Sequence, residues 1–253
     1  VTSTAEIEAF LRRAPEMHLY ELGDLDPLHA SHTTWLTHRK GAALDAVVLV
    51  YGGLAVPTLV ALGHAGIDAH RELLASERST LPPRFYAHLS PGLAEVLQPR
   101  FRLKSLGLHA KMALRRAPAD AGPVVRFASG DAAELTSFYA ESYPTGYFEP
   151  HMLESGPFVG IRDAKGIACV AGVHVFSKSQ RVAALGSIAT RPDQRGRGLA
   201  RAATSALCRW VRPEVDHIGL NVVAGYAPAI ACYRRVGFEQ VGEYEEYVCE
   251  AGG

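Results

Sequence analysis

The residues with the clearest chemistry lie in the stretch TRPDQRGRGLARAATSALCRW, Thr190 to Trp210. Gly196 and Gly198 alternate with Arg195 and Arg197, and Arg201 follows. An apolar pattern of helical spacing (Leu199, Ala203, Ala206, Leu207, Trp210, Val211) then begins with no acidic residue. A loop that runs straight into a helix leaves backbone N–H groups without partners at the positive end of the helix dipole. Glycines let a bulky anion approach that backbone closely. Together these make a cradle for phosphate or pyrophosphate, with the arginines adding charge around it. No Gly-Lys-Ser/Thr follows, so the loop is not a Walker loop, and Gly-x-Gly-x-x-Gly is also missing. Taken alone, the same residues also suit a charged surface turn whose glycines serve shape only.

Composition limits the other options. The chain has 253 residues, with 26 Lys plus Arg against 26 Asp plus Glu, so its formal net charge is zero. A protein that coats nucleic acid or an anionic membrane carries a basic excess, so the arginine cluster is a local device. Cys169, Cys208, Cys232 and Cys249 are scattered among apolar neighbours without Cys-x-x-Cys spacing. That suits buried free thiols in a reducing compartment. The segment VTSTAEIEAF has no basic-then-apolar signal pattern, and no apolar run is long enough to span a membrane. These features predict a soluble, cytoplasmic protein. His29 and His32 have a His-x-x-His spacing with His38 nearby, but no third ligand is apparent and Pro27 makes the context turn-like. No metal is expected.

The elements that must position the loop follow from periodicity. RRAPADAGPVVRF, Arg115 to Phe127, breaks any helix or strand and leaves about half of the chain on each side, an ordinary domain size. Before it, TAEIEAFLRRAP is a short amphipathic helix, and DAVVLVYGGLAVPTLVALGH is two strands around Gly52-Gly53. RFYAHLS and SLGLHAKMALRR are strands, with a short helix from Pro91 between them and Ser90 as its N-cap. After the linker, PVVRFAS is a strand and SGDAAELTSFYAESY a helix entered through Ser129 or Asp131. PFVGIRD, GIACVAGVHVFS and RVAALGSIAT are successive strands. Then come the arginine-glycine loop, a helix to about Val211, the strand DHIGLNVV, the helix APAIACYRRVG closed by Gly237, and the strand FEQVGEYEEYVCE.

Arg195-x-x-Gly198-x-Ala200, preceded by SIATRPDQ, resembles the acetyl-CoA pyrophosphate loop of the GNAT N-acetyltransferase superfamily. Downstream, APAIACYRRVGFEQVGEY resembles that family's closing pattern through Ala229-Ile230, Tyr233 and Gly237-Phe238. The resemblance covers Val124 to Glu250. It implies an α/β fold of the mixed α+β kind, with a central mixed, mostly antiparallel sheet flanked by helices and an N-terminal α/β domain. The expected domains are 1–118 and 119–253. The resemblance further implies that Ile188, Ala189 and Thr190 offer main-chain groups to the pantetheine arm of acetyl-CoA, as an added strand does. The backbone N–H groups from Gln194 or Arg195 through Gly196, Arg197, Gly198, Leu199 and Ala200 wrap the pyrophosphate, Arg201 adds charge, and Asn221 and Tyr226 line the cofactor. Tyr233 protonates the departing thiolate, or is a core tyrosine with a satisfied hydroxyl.

Two positions depart from the family pattern. Tyr226 stands where an asparagine often contacts the cofactor, and RVAALGSIAT lacks the glutamate that often acts as general base. Glu141, His174, or a water held by Asn221 and Ser187 are the substitutes; a neutral amine needs only a water relay. The expected function is direct acetyl transfer from acetyl-CoA to a primary amine of a small molecule or amino acid. The aromatic segment ESYPTGYFEPHML either walls the acceptor pocket or packs the domain. The alternative is a non-catalytic acyl-CoA-binding module acting as sensor or interaction protein. A transferase using charged tRNA would need a basic surface that the neutral charge does not supply. The first half, with its hairpin and its strand–helix–strand, reads as a GNAT-like unit without a cofactor loop. The last strand, EYEEYVCE, either pairs across a dimer or stays a charged edge, so monomer and homodimer both remain open.

Overall fold

The structure, a computed structural model, describes residues 2–119 and 122–252, so the centre of the predicted linker, Asp120-Ala121, lies outside the described residues. The chain divides into two compact units. The first runs through Lys111 and takes in Val223–Gly225 and the chain from Val241; the second holds Met112–Val222 and Tyr226–Gln240.

The first unit begins with α1 (Thr4–Leu11), held by a capping box in which Ser3 and Glu6 satisfy each other's backbone N–H. It continues through α2 (Leu19–Gly23), β1 (Thr33–Lys40), β2 (Ala43–Tyr51), β3 (Thr58–Ala61) and α3 (Asp68–Glu77). Next come β4 (Arg84–Leu89), α4 (Ala94–Leu97) and β5 (Phe101–Leu114), the last of which leaves the unit after Lys111. Strands β1 and β2 form a hairpin. Its turn contains Gly41 at φ +65°, a region that glycine enters without steric cost. Strands β2 and β3 are antiparallel across Gly52-Gly53, as the sequence predicts. The next pair, β3 and β4, is parallel and joined through α3. Leu59, Ala61, Leu74, Phe85, Leu89, Leu93 and Leu97 form the fully buried core of this unit.

Four features of this unit differ from the sequence reading or go beyond it. The helix after β4 starts at Ala94 rather than Pro91, because the Ser90 hydroxyl accepts from Gly63 N–H at 3.0 Å instead of capping it. The histidine-rich stretch after His32 is strand β1, and α3 lies where no helix is predicted: its polar composition hides a narrow stripe of His70, Leu73 and Leu74. The last strand, β11 (Phe238–Ala251), is no sheet edge. It lies between β4 and β5, with Glu246 opposite His88.

The second unit contains β6 (Val125–Phe127), α5 (Ala132–Ser142), α6 (Met152–Ser155), β7 (Phe158–Asp163), β8 (Gly166–Ser177) and β9 (Val182–Thr190). After these come α7 (Leu199–Val211), β10 (His217–Val223), α8 (Ala227–Val236) and the start of β11. The strand order is β10-β9-β8-β7-β6, antiparallel except between β9 and β10. Neither Ser129 nor Asp131 caps α5 through its side chain; a 3-10 turn, Ser129–Asp131, leads into it, and Asp131 accepts from Ala128 N–H at 2.9 Å. Trp210, expected on the apolar face of α7, is 48% exposed, with the Arg126 guanidinium 4.8 Å from its ring centroid. The alkyl-rich positions Ala203, Leu207 and Val211 suffice to bury that helix. Gly237 ends α8 at φ +121°, and its carbonyl accepts from Arg115 and Arg116 N–H.

Candidate active site

Strands β9 and β10 run parallel in register from His217↔Val182 to Leu220↔Leu185, and the pairing stops there. Beyond it β9 continues to Thr190 with β8 alone as its partner. Its other edge is therefore open to an added strand. Ile188, Ala189 and Thr190 lie on this extension, and Asn221 is the first residue past the last pair on β10.

The break is built around Ser187, which has φ +49°. Such a left-handed value is costly for any residue but glycine. Three side-chain contacts hold it there. The Tyr139 hydroxyl on α5 donates to Ser187 O at 2.6 Å, Ser187 Oγ donates to Tyr147 O at 2.6 Å, and His174 Nε2 lies 3.1 Å from Ser187 Oγ. A carbonyl only accepts, so the serine proton is committed to Tyr147 and His174 donates through Nε2. Burial pushes the His174 imidazole down to about 4, so the ring is neutral at neutral pH. Sequence reading found Ser187 and His174 but not Tyr139, whose contact joins positions 48 apart in the chain.

The loop after β9 is fastened at its base. Arg191 binds Asp163, Asp193 and the carbonyl of Ile167, and Asp193 also receives Lys165. The acid of the loop is therefore neutralised within it. Arg195 turns inward: Nε donates to Thr190 O at 3.2 Å and a terminal nitrogen to Ser142 O at 3.1 Å. Gly196 and Gly198 take φ +77° and +81°, and a Cβ on either would meet open space. Gly198 is the N-cap residue of α7, whose first turn holds no acid and no side-chain cap. As a result the N–H groups of Gly196, Arg197, Gly198, Leu199, Ala200 and Arg201 donate to no acceptor among the described residues. The Arg197 and Arg201 side chains are exposed and make no hydrogen bond or ion pair with another described residue. Six consecutive free donors, glycines at positive φ and two uncommitted guanidinium groups fit a pyrophosphate.

Residues 131–238 match the family model Acetyltransferase (GNAT) family. They form a GNAT-family domain. No curated protein matches the chain. Among solved structures, the chain is similar to one described as an acetyltransferase from the GNAT family of Novosphingobium aromaticivorans, at 17% identity and TM-score 0.65, covering 94% of this chain and 99% of that one. A Drosophila protein aligns at 14% identity and TM-score 0.69, over 98% and 97%. A tandem GNAT protein from the clavulanic acid biosynthesis pathway aligns at 17% identity and TM-score 0.55, over 100% and 98%. These identities show the fold alone. The family and fold together support an acyl-CoA-dependent acetyltransferase.

The remaining candidate residues of this GNAT-family domain fall into two groups. Tyr233 is buried on α8, and its hydroxyl has no hydrogen-bond partner among the described residues. Burial and the neighbouring Cys232 and Tyr143 hold its proton on well above the usual phenol range. Tyr226 is 53% exposed and serves α8 through its carbonyl, which accepts from Ala229 and Ile230. Glu141 stands exposed near the end of α5, two residues past Tyr139.

Phe148 stacks on Tyr139 at 4.7 Å and packs into the core, so this part of the aromatic segment packs the domain, while Tyr143 and Tyr147 stay exposed. A shallow cavity of about 170 Å³ is lined by Thr136, Tyr139, Tyr143, Pro144 and Phe148, among others. A larger one of about 370 Å³ is lined by Arg115, Arg116, Arg209 and Arg212 with aliphatic neighbours. It offers no proton-transfer group at neutral pH. Cys169 and Cys208 are pushed by burial up to about 11 and about 12, so neither is a nucleophile. Among the described residues no group of three or more His, Cys, Asp or Glu is arranged to hold a metal ion, and no helix is long and apolar enough to cross a membrane.

Proposed function

We propose that the second unit transfers an acetyl group from acetyl-CoA to a primary amine of a small molecule or amino acid, by direct attack in a ternary complex. The observation that carries this reading is the run of six N–H groups from Gly196 to Arg201 that are unpaired among the described residues, entered beside a strand edge that β10 has left open. The pyrophosphate lies against the run, and the main chain of Ile188, Ala189 and Thr190, with Asn221 and Tyr226 across the gap, borders the pantetheine arm. Arg195 shapes the loop rather than touching phosphate, since its guanidinium is spent on Thr190 and Ser142. Arg197 and Arg201 supply the counter-charge.

The amine nitrogen attacks the thioester carbonyl, and main-chain N–H groups at the Ser187 break steady the developing oxyanion. Tyr233, protonated and without an internal partner, donates to the leaving thiolate. His174 is not the base in this scheme, because its Nε2 proton is committed to Ser187; it keeps the break in shape. In this scheme the amine arrives neutral and gives up its proton through water, with Glu141 left as the alternative base. The test is thiol release from acetyl-CoA across an amine library, with and without Tyr233→Phe. A non-catalytic acyl-CoA-binding module is favoured by one observation: among the described residues of the second unit no carboxylate is buried. Binding without thiol release for any amine would select that reading.

The first unit repeats one device of the second, a parallel strand pair joined by a helix: β3-α3-β4 beside β9-α7-β10. Its loop, Leu62 to Ile67, lacks the arginine-glycine pattern. It reads as a GNAT-like copy without a cofactor cradle. A reducing, cytoplasmic setting suits the four free cysteines.

A further inference from the structure

We propose that the first unit carries a second ligand site, for a primary ammonium compound, between the shared face of β4, β11 and β5 and the segment holding α2. It is independent of the acyl-transfer site in the second unit.

That face is polar where a sheet buried under a helix is normally apolar. His88 comes from β4, Tyr244 and Glu246 from β11, and His109 and Lys111 from β5. Tyr20 and Glu21 face them from the α2 segment, with His18 and Asp24 beside Glu21. Glu246 lies between two imidazoles, 3.9 Å from His88 Nε2 and 3.4 Å from His109 Nε2. The Tyr244 ring stacks on His109 at 5.1 Å, and the Lys111 ammonium lies over both tyrosine rings, 5.4 Å from Tyr244 and 5.6 Å from Tyr20. His18 Nδ1 is 2.9 Å from Glu21 Oε1, and its Nε2 is 3.1 Å from His64 Nδ1. Glu21 and Lys111 are only 3% and 4% exposed. Burying this many ionisable groups gains little stability over an apolar layer, which points to use rather than packing.

Two atoms in the cluster are buried with no hydrogen-bond partner among the described residues: Glu21 Oε2 and His109 Nδ1. The first is a carboxylate oxygen, which only accepts. The second accepts when the ring's other nitrogen, which faces the Glu246 carboxyl, carries the proton. The ligand that completes them is a hydrogen-bond donor. The cluster holds three carboxyl groups (Glu21, Asp24, Glu246) against one ammonium, Lys111, with the His18 imidazole hydrogen-bonded to Glu21. Burial raises Glu246 and holds Asp24 at about 7, so the ligand-free cluster limits its excess negative charge by keeping protons. A bound ammonium takes over that role and releases them. Aromatic faces beside carboxylates add to its attraction. The His88 and Glu246 side chains retain 22% and 23% of their exposure, which leaves the cluster open to solvent at that end.

The test is histidine NMR of the full chain titrated with ethylammonium, and with ethanol and propionate as controls of similar size. The expected result is a saturable shift of the His88 and His109 signals with ethylammonium alone. Calorimetry in buffers of different ionisation heat should show proton release. Glu246→Gln and Glu21→Gln should each weaken binding by about tenfold or more, as removal of one partner of a buried charge contact does. No saturable shift, an equal response to ethanol or propionate, or undiminished binding in both variants would overturn the proposal. If either variant does not fold the other decides, and if neither folds the discrimination among the three probes does.

Discussion

The hydroxyl of Tyr139 donates to the main-chain carbonyl of Ser187 at 2.6 Å, and this contact pins a serine at φ +49° where β9 parts from β10. The open edge of the proposed acyl-donor groove depends on it. Tyr139→Phe keeps the ring in the core and removes only the donor. Leaving a buried carbonyl unpaired costs about 1–3 kcal/mol, so thermal denaturation should shift down by several degrees. Turnover should fall as well, because the N–H groups at the break lose their aim. Ser187→Gly, which tolerates the backbone, should retain more activity than Ser187→Val.

Tyr233 has no partner for its hydroxyl among the described residues, so Tyr233→Phe should cost little stability. As proton donor to the thiolate, its loss should lower kcat about a hundredfold, with the KM for acetyl-CoA nearly unchanged. A core tyrosine would give the reverse, a lower melting temperature at unaltered kcat. Steady-state kinetics beside calorimetry separates the two.

His174 has its imidazole held down to about 4 by burial, against about 6.5 in the unfolded chain. Acid therefore favours the unfolded state, which binds the proton more readily. The stability His174 permits is intact above about pH 6.5 and is lost as pH falls toward 4, by up to about 3 kcal/mol. His174→Gln, which still donates to Ser187, should flatten the stability profile across that window in chemical denaturation at stepped pH.

Much of the second unit was legible because its elements are long and periodic. The helix of Leu199 to Val211 announces itself by apolar spacing, and glycines at 196, 198 and 237 mark the places where φ turns positive. The network at Ser187 was not legible, since Tyr139, Tyr147, His174 and Ser187 are far apart in sequence and each is ordinary alone. The same holds for Glu21, His109 and Glu246, which only strand pairing brings to one face. The histidines and threonines of β1 look like a polar turn, which hides the strand. Trp210 sits at helical spacing, where an aromatic residue implies core, while here Arg126 covers it from outside.

Gly237 is a second fixed point of the GNAT-family domain. A Cβ there would come within 2.7 Å of the Arg116 carbonyl oxygen, at a φ of +121° that L side chains avoid. Gly237→Ala should destabilise the protein by about 2–3 kcal/mol. Its effect on acetyl-CoA affinity should be small once the protein is folded, because the residue lies at the far end of α8 from Tyr226. Urea denaturation with and without acetyl-CoA measures both.

The loop from Arg195 to Arg201 is the proposed seat of the acyl-CoA pyrophosphate, and everything said of catalysis depends on it. Calorimetric titration of the full chain with acetyl-CoA tests this most directly, beside Gly198→Tyr, whose side chain should fill the cradle. Micromolar binding by the wild type, lost in a variant that keeps its circular dichroism, is the predicted result. Wild-type protein that takes up no heat from acetyl-CoA, or a folded variant that binds as tightly as wild type, would contradict the account.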